Sequence, residues 1–128
     1  MQELNFVDHP IVASDRDAYV DVIIDAPKAI ESYRLSLMSF EVLDRHGNIR
    51  PDEDLDVAEQ AVRESVREKI KTNQVFEKPI VGLGLNDNFE IGIGRSLFTS
   101  LVYEGFSEIP VHIRTSHLEH LKQFVKSD

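Results

Sequence analysis

The chain contains no cysteine. Without thiols it cannot form a structural disulfide, use a thiolate nucleophile or bind zinc through cysteine. A small acidic domain without cysteine is typical of a reducing compartment, so the expected location is the cytoplasm.

Long hydrophobic runs are also missing. The longest apolar stretches are three residues, as in Val22–Ile24, whereas a transmembrane helix needs about twenty. The opening residues Met1, Gln2 and Glu3 carry neither the basic region nor the apolar core of a signal peptide. We therefore expect no signal peptide and no association with a membrane.

Basic residues are scarce in the first half of the chain. Positions 1–60 hold 14 acidic and 5 basic residues, while positions 61–128 hold 9 of each, so the net charge of −9 lies entirely in the first half. This excess of acid disfavours direct binding to nucleic-acid phosphates and to anionic lipid. It favours a protein partner with a basic surface, and it also permits mimicry of nucleic-acid phosphates.

The length and the hydrophobic content indicate one folded unit. The chain has 128 residues, and 41% of them are hydrophobic, which is enough to fill a core. The sequence contains no internal repeat, low-complexity tract or linker-like segment. We predict a single globular domain over residues 1–128.

The acidic half predicts two strands. Ala18–Asp25 alternates apolar and polar residues, as a half-buried strand does, and Pro27 ends it. Tyr33–Leu43 fits a strand or a helix, and its β-branched and aromatic residues before the turn Asp44–Asn48 favour a strand. Ile49 begins a short return.

The clearest helix is Asp54–Thr72. Its apolar residues recur every three to four positions, and acids and bases lie at the ends that the helix dipole favours. The residues expected to face the core are Leu55, Ala58, Val62, Val66 and Ile70.

A hairpin and a short helix follow. Ile80–Leu85 and Phe89–Ile93 are the predicted strands, joined by a turn of three residues. Ser96 then caps a helix that ends at Gly105.

The C-terminal region predicts a strand and a helix. Ile109–Arg114 is the strand, and Pro110 near its start indicates a sheet edge. Ser116 and Glu119 form a capping box for the last helix. Because most strands come in adjacent pairs, we predict an α+β domain with a mainly antiparallel sheet and about three helices on one face.

The hairpin has one apolar face and one face rich in glycine. The three-residue turn puts three apolar pairs toward the core: Leu85 with Phe89, Leu83 with Ile91, and Val81 with Ile93. The other face carries Gly82 opposite Gly92, and Gly84 opposite Glu90. Glycine inside a strand indicates either close approach of other atoms or a shallow floor for a ligand.

The turn after the hairpin is a second candidate site. Arg95 and Ser96 follow a strand and open a helix, where a hydroxyl, a guanidinium and free amides could hold one anion. A dinucleotide is not expected, because Leu97 replaces the third glycine of G-x-G-x-x-G. The alternative ligand-binding set comprises Gly82, Gly84, Gly92, Gly94, Arg95 and Ser96.

We expect no metal site and no cofactor. His117 and His120 share a helix face near His112, but they do not form H-E-x-x-H and lack a fourth ligand. Asp52, Asp54 and Asp56 resemble the start of a calcium loop, but Val57 occupies the glycine position. No nucleophile elbow or other catalytic motif is present.

The leading hypothesis is a small non-catalytic protein-binding module of the inhibitor, adaptor or immunity type. The residues expected to meet a basic partner are Asp15, Asp17, Asp21, Asp25, Asp52, Asp54 and Asp56. The alternative is an enzyme or small-molecule receptor, which requires the histidines and Arg95 to converge beside Gly82 and Gly92. A third alternative is a homodimer that pairs through an edge strand.

Overall fold

The computed structural model describes residues 3–126 and contains two sheets. The strands are β1 (Asn5–Val7), β2 (Tyr19–Asp25), β3 (Val75–Glu77), β4 (Ile80–Leu83), β5 (Phe89–Ile93) and β6 (Glu108–Arg114). The α-helices are α1 (Pro10–Ala13), α2 (Ala26–Tyr33), α3 (Val57–Lys71), α4 (Arg95–Tyr103) and α5 (Leu118–Leu121). Short 3₁₀ turns cover Arg16–Ala18, Ser39–Glu41, Asp52–Asp54, Thr115–His117 and Lys122–Phe124.

The larger sheet has the strand order β2-β6-β4-β5. Its outer pairs are antiparallel, whereas β4 and β6 run parallel, and a separate parallel pair joins β1 to β3. The α+β class is therefore confirmed. The sheet is mixed rather than mainly antiparallel, because β5 and α4 form a crossover that returns β6 alongside β4 in the same direction. The described residues form five α-helices instead of about three.

The core is centred on Phe89 of β5. Its ring lies 5.7 Å from the ring of Phe98 in α4 and 5.4 Å from that of Phe124. Tyr33 of α2 and Val111 of β6 belong to the same buried cluster. Burial of these large side chains is the main force that holds the helices on the sheet.

Residues 33–43 do not form the predicted strand. Tyr33 is the last residue of α2, which begins directly after β2 with Asp25 as its N-cap. The chain then turns, because the Ser39 hydroxyl donates to the carbonyl oxygens of Arg34 and Ser36 at 3.1 and 2.9 Å. Local side-chain bonds of this kind compete with the backbone pairing that a strand needs.

Helix α3 is confirmed, but its rotation differs from the prediction. Leu55, just before it, and Val66 are buried, whereas Ala58 is exposed and Val62 is 38% exposed. The side chain that replaces Val62 in the interior is Arg63, which is 1% exposed. The predicted burial of Val62 is therefore wrong.

The hairpin is present with a different register. Leu83 pairs with Phe89, Val81 with Ile91, and Gly82 with Glu90, and a bulge follows at Ile80. The turn still has three residues but starts one position earlier, at Leu85, because the Gly84 N–H donates to the Asn88 carbonyl at 2.8 Å. Leu85 sits at its tip and is 88% exposed, so the predicted core pair of Leu85 with Phe89 is wrong.

Strand β6 lies inside the sheet rather than at its edge. Pro110 is tolerated there because it faces Ile23 of β2, while β4 pairs only farther along, at His112 and Ile113. The predicted turn after Leu43 is confirmed by an isolated bridge between Leu43 and Ile49.

The starts of α4 and of the last helix also differ from the predicted ones. Gly94, with φ of +87°, is the N-cap of α4, and Ser96 lies inside the helix. The predicted final helix is only α5 between two 3₁₀ turns, and Ser116 lies in the first of these.

Candidate interaction surface

Asp21 of β2 lies in a network of ions on one edge of the sheet. Its carboxylate accepts from Arg16 at 2.5 Å and from Nδ1 of His112 at 2.7 Å, and Lys78 lies 3.4 Å away. Burial disfavours the ionised form, but the bonds from Arg16 and His112 and the Lys78 charge outweigh it and lower the pKa of Asp21 to about 2. The Asp21 carboxylate is therefore engaged by side chains of the same chain.

His112 is completely buried and uses both ring nitrogens. The His9 N–H donates to Nε2 at 3.1 Å, which assigns the proton to Nδ1 facing Asp21. Oxygen atoms of Asp8 and Asp21 lie close enough to share a metal ion with this ring. The Lys78 ammonium already lies 3.4 Å from both carboxylates. The cluster is therefore a charge-balanced ion network, which a metal could enter only by displacing the lysine and the amide.

Asp52 forms a second network with two arginines of α3. It accepts from Arg67 at 2.5 and 2.7 Å and from Arg63 at 3.1 Å. The bonds from Arg67, together with Arg63, lower the pKa of Asp52 to about 2. Arg67 also donates to Glu104 at 2.9 Å, so this network joins the 3₁₀ turn before α3 to α3 itself and to the end of α4.

The remaining predicted aspartates divide into two groups. Asp25 and Asp56 are the N-caps of α2 and α3, where they accept from backbone amides at 3.3 and 2.8 Å. Asp15, Asp17 and Asp54 are exposed and make no side-chain hydrogen bond or ion pair within residues 3–126. Four of the seven aspartates therefore have contacts inside the fold.

The glycine-rich face of the hairpin is approached by a side chain of the protein itself. A Cβ at Gly82 would lie 2.8 Å from Nδ1 of His117, and that nitrogen accepts from the Leu83 N–H at 3.3 Å. A Cβ at Gly84 would lie 2.5 Å from Oδ1 of Asn88. Close approach therefore accounts for both glycines. Gly92 is exposed, and a Cβ there would make only ordinary contact.

The predicted anion-binding turn carries carboxylates of the same chain. Arg95 donates to Glu41 at 2.7 Å, and the Ser96 hydroxyl donates to Glu59 at 2.9 Å. An external anion would have to displace both. Gly94 adopts its positive φ where Pro79 packs against it, 3.1 Å from the position of a Cβ.

The residues named for the enzyme alternative do not converge. His117 and Arg114 line a depression of about 220 Å³ beside Gly82 and Gly92. His112 is buried in the Asp21 network, and Arg95 binds Glu41. Of His112, His117 and His120, His117 is therefore the one that lines the glycine-rich face proposed as a ligand floor.

Sequence analysis did not find the most exposed apolar surface. It surrounds the turn after α2 and the tip of the hairpin, and we call it the apolar patch. Its members, with their exposed fractions, are Leu35 (51%), Leu37 (72%), Met38 (44%), Phe40 (64%) and Leu85 (88%). The signal that could have revealed it is the run of apolar residues on both faces of residues 35–40, which no single buried strand face can cover.

The patch is held in place by hydrogen bonds. The Asn86 side chain donates to the Leu35 carbonyl at 3.0 Å and joins the hairpin tip to the turn. The Ser36 hydroxyl accepts from the Met38 N–H at 3.1 Å and donates to Glu90 at 2.9 Å. The apolar side chains are therefore displayed from an ordered backbone. Leu35, Leu37, Met38 and Leu85 line a common depression of about 230 Å³.

A basic hollow adjoins the patch. It measures about 620 Å³, and Leu35 and Phe40 of the patch form part of its wall. Arg34, Arg45 and Arg50 also line it. Within residues 3–126 none of these arginines forms an ion pair. We call this hollow the arginine basin.

A groove of about 610 Å³ runs along α3 on another side of the molecule. Its apolar lining includes Val62, Val75, Ile93 and Leu97, which accounts for the exposed position of Val62. Lys78, at the same groove, is held by Asp8 and Asp21.

Among residues 3–126, no helix is long and apolar enough to cross a bilayer. Comparison with known proteins finds no matching family model, no similar curated protein and no similar solved structure.

Proposed function

We propose that this protein is a non-catalytic protein-binding module of the inhibitor, adaptor or immunity type, and that it binds its partner through the apolar patch. The observation that carries the proposal is the exposure of Leu35, Leu37, Met38, Phe40 and Leu85 on one ordered surface. Contiguous apolar side chains of this size are costly in water and mark sites that a partner covers.

The polar groups favour binding over catalysis. His112 has both nitrogens bonded within the fold, and Nδ1 of His117 accepts from a backbone amide. Arg95 and Ser96 are bonded to carboxylates of the chain itself. A reaction needs an acid, base or nucleophile that can reach a substrate, and these groups are engaged in holding the fold.

The apolar patch is better supported than the acidic residues as the main contact. Asp21, Asp25, Asp52 and Asp56 already bond to the fold. A basic partner could still meet the exposed Asp15, Asp17 and Asp54, and such peripheral charges mainly affect the rate of encounter. Apolar anchors at the centre of an interface supply most of the binding energy.

Comparative affinity capture from extracts of the native host tests the proposal. The immobilised parent should retain a partner that Leu37→Asp/Phe40→Asp does not retain. Val57→Asp is the matched control, since Val57 is 82% exposed and lies on α3, outside the patch. A partner retained equally by all three proteins would refute docking through the patch.

A further inference from the structure

The arginine basin is positively charged, although the half of the sequence that contains its arginines is strongly negative. Positions 1–60 hold five basic residues, and three of them, Arg34, Arg45 and Arg50, line this one basin. The fold thus collects most of the positive charge of the acidic half beside the apolar patch.

The guanidinium groups of the basin are available to a ligand. The Nε–H of Arg50 donates to the Phe40 carbonyl at 3.0 Å, and that of Arg45 lies 3.4 Å from Nε2 of His46. Within residues 3–126 no carboxylate pairs with Arg34, Arg45 or Arg50. An arginine fork donates two parallel hydrogen bonds to a carboxylate, which makes it a strong binding site for such groups.

Asp44 also lines the basin, but no ion pair joins its carboxylate to Arg34, Arg45 or Arg50 within residues 3–126. The Asp44 carboxylate accepts from the backbone amides of His46 and Asn48 at 2.8 and 3.0 Å. The Asn48 and His46 amides, with smaller contributions from the charges of His46 and Arg50, outweigh desolvation and lower the pKa of Asp44, so it stays ionised as part of its own turn. Glu41 is bound to Arg95.

We propose that Arg34, Arg45 and Arg50 bind the carboxylates of an acidic segment of the partner protein, whose apolar side chains cover Leu37 and Phe40. This inference rests on the proposed function and adds the chemistry of the partner. The net charge predicts a partner with a basic surface, whereas this inference predicts an acidic segment. Asp44 offsets one of the three positive charges in the basin. More distant acids do not prevent such binding, because the screening length is about 8 Å at physiological ionic strength.

The shape of the basin favours a peptide segment over a lipid surface. The arginines line a hollow, so an extended chain can place carboxylates inside it while its apolar residues rest on the neighbouring patch. A bilayer would instead require the cations to surround a protruding tip. Three arginines on a chain of net charge −9 are also fewer than the basic clusters that anionic membranes attract.

Fluorescence anisotropy with two labelled peptides tests the inference. One peptide consists of Glu-Glu-Leu-Phe repeats, and the other has glutamine in place of glutamate. The parent protein should bind the glutamate peptide about tenfold more tightly at low salt. Added salt should reduce the difference. Arg34→Glu/Arg45→Glu should abolish the preference, and both side chains are exposed, so the fold should persist.

The matched control is Lys71→Glu/Lys122→Glu, which makes the same change of net charge at exposed positions outside the basin. It should keep the preference for the glutamate peptide. Loss of the preference in this control would show that overall charge decides binding. That result would overturn the inference, as would equal binding of both peptides or no binding of the glutamate peptide.

Two further arms separate the inference from the proposed function. Leu37→Ser/Phe40→Ser should weaken both peptides. If it weakens neither while the arginine-dependent preference remains, carboxylate binding by the arginines stands, whereas apolar docking and the covering of Leu37 and Phe40 fail. If the parent binds the two peptides equally and this variant weakens both, apolar docking stands and the inference fails. Binding to mixed phosphatidylserine and phosphatidylcholine vesicles without a peptide preference would assign the surface to lipid and overturn the inference.

Discussion

Arg63 shows that a charged side chain can be the core contact of an amphipathic helix. Its Nη1 donates to the Arg50 carbonyl at 2.6 Å and to Asp52 at 3.1 Å, and its guanidinium lies 4.1 Å from the centre of the Tyr103 ring. Arg63→Ala removes these contacts and leaves a cavity, so it should lower the free energy of unfolding by about 3 kcal/mol.

Val62, the next residue, is the control for this prediction. Because it is 38% exposed, Val62→Ala should cost no more than about 1 kcal/mol. Urea unfolding measures both variants. Equal losses would contradict the rotation of α3 that buries Arg63.

Asp21 and Asp52 should make stability depend on pH in the acid range. Burial opposes ionisation of Asp21, but the bonds from Arg16 and His112 prevail, and Arg67 acts similarly on Asp52. Both pKa values fall from 3.8 to about 2. A carboxyl with a lower pKa in the folded state stabilises the fold above its unfolded pKa. That contribution should be lost as the pH falls from about 4 to about 2.

Urea unfolding as a function of pH measures this contribution. Asp52→Asn should be less stable than the parent near neutral pH and should lose less stability on acidification. Asp54→Asn is the control, because Asp54 is exposed and has no side-chain partner within the described residues. An acid profile for Asp52→Asn that matches the parent would contradict the role of the arginine network.

At the scale of elements, a substitution at Gly82 shows why glycine occupies strand β4. Gly82→Ala should lower stability by about 1 kcal/mol, because the new methyl group meets His117 and weakens its bond to the Leu83 N–H. In a His117→Ala background the same change should be neutral or stabilising, since alanine restricts the unfolded chain. A double-mutant cycle by urea unfolding measures this coupling, and equal effects in both backgrounds would show that His117 is not the cause.

Periodicity in the sequence predicts where several elements lie but not how they face the core. The spacing of Leu55, Val66 and Ile70 locates α3 correctly. The burial of Arg63 depends on a carbonyl and a carboxylate from another segment, and no local pattern reports them. The hairpin register depends likewise on Asn88, whose side chain holds the shifted turn by accepting from the Asn86 N–H.

The apolar patch escaped prediction for a related reason. Residues 33–43 contain enough apolar side chains for a buried strand, so local propensity favours that reading. The hydroxyls of Ser36 and Ser39 instead fix a turn that leaves Leu37 and Phe40 in solvent. Segments whose pattern predicts burial and whose structure shows exposure are candidates for interfaces.

At the scale of the whole molecule, the charge asymmetry of the sequence does not become one uniformly acidic face. Asp21 and Asp52 are paired with cations inside the fold, whereas Arg34, Arg45 and Arg50 collect beside exposed apolar side chains. The net charge of −9 nevertheless remains, and it repels a second copy of the chain. This repulsion and the apolar patch have opposite effects on self-association.

The sheet edges limit one route to a homodimer. On β5 the Phe89 N–H donates to Ser32 at 2.9 Å, and the Ile91 N–H lies 3.2 Å from its Glu90 acceptor. On β2 the Lys126 N–H donates to the Ile23 carbonyl at 2.8 Å. Edge groups bonded in this way are poor templates for a second strand. Self-association, where it occurs, should therefore use the apolar patch.

Sedimentation velocity at low and high salt distinguishes these routes. At low salt the protein should be monomeric, because copies of net charge −9 repel one another. At high salt screening shortens to about 3 Å, and the mean mass should rise with protein concentration as patches meet. Leu37→Ser/Phe40→Ser should abolish this rise. Ile23→Lys, an exposed position on edge strand β2, should leave it unchanged; the opposite pattern would assign self-association to the strand edge.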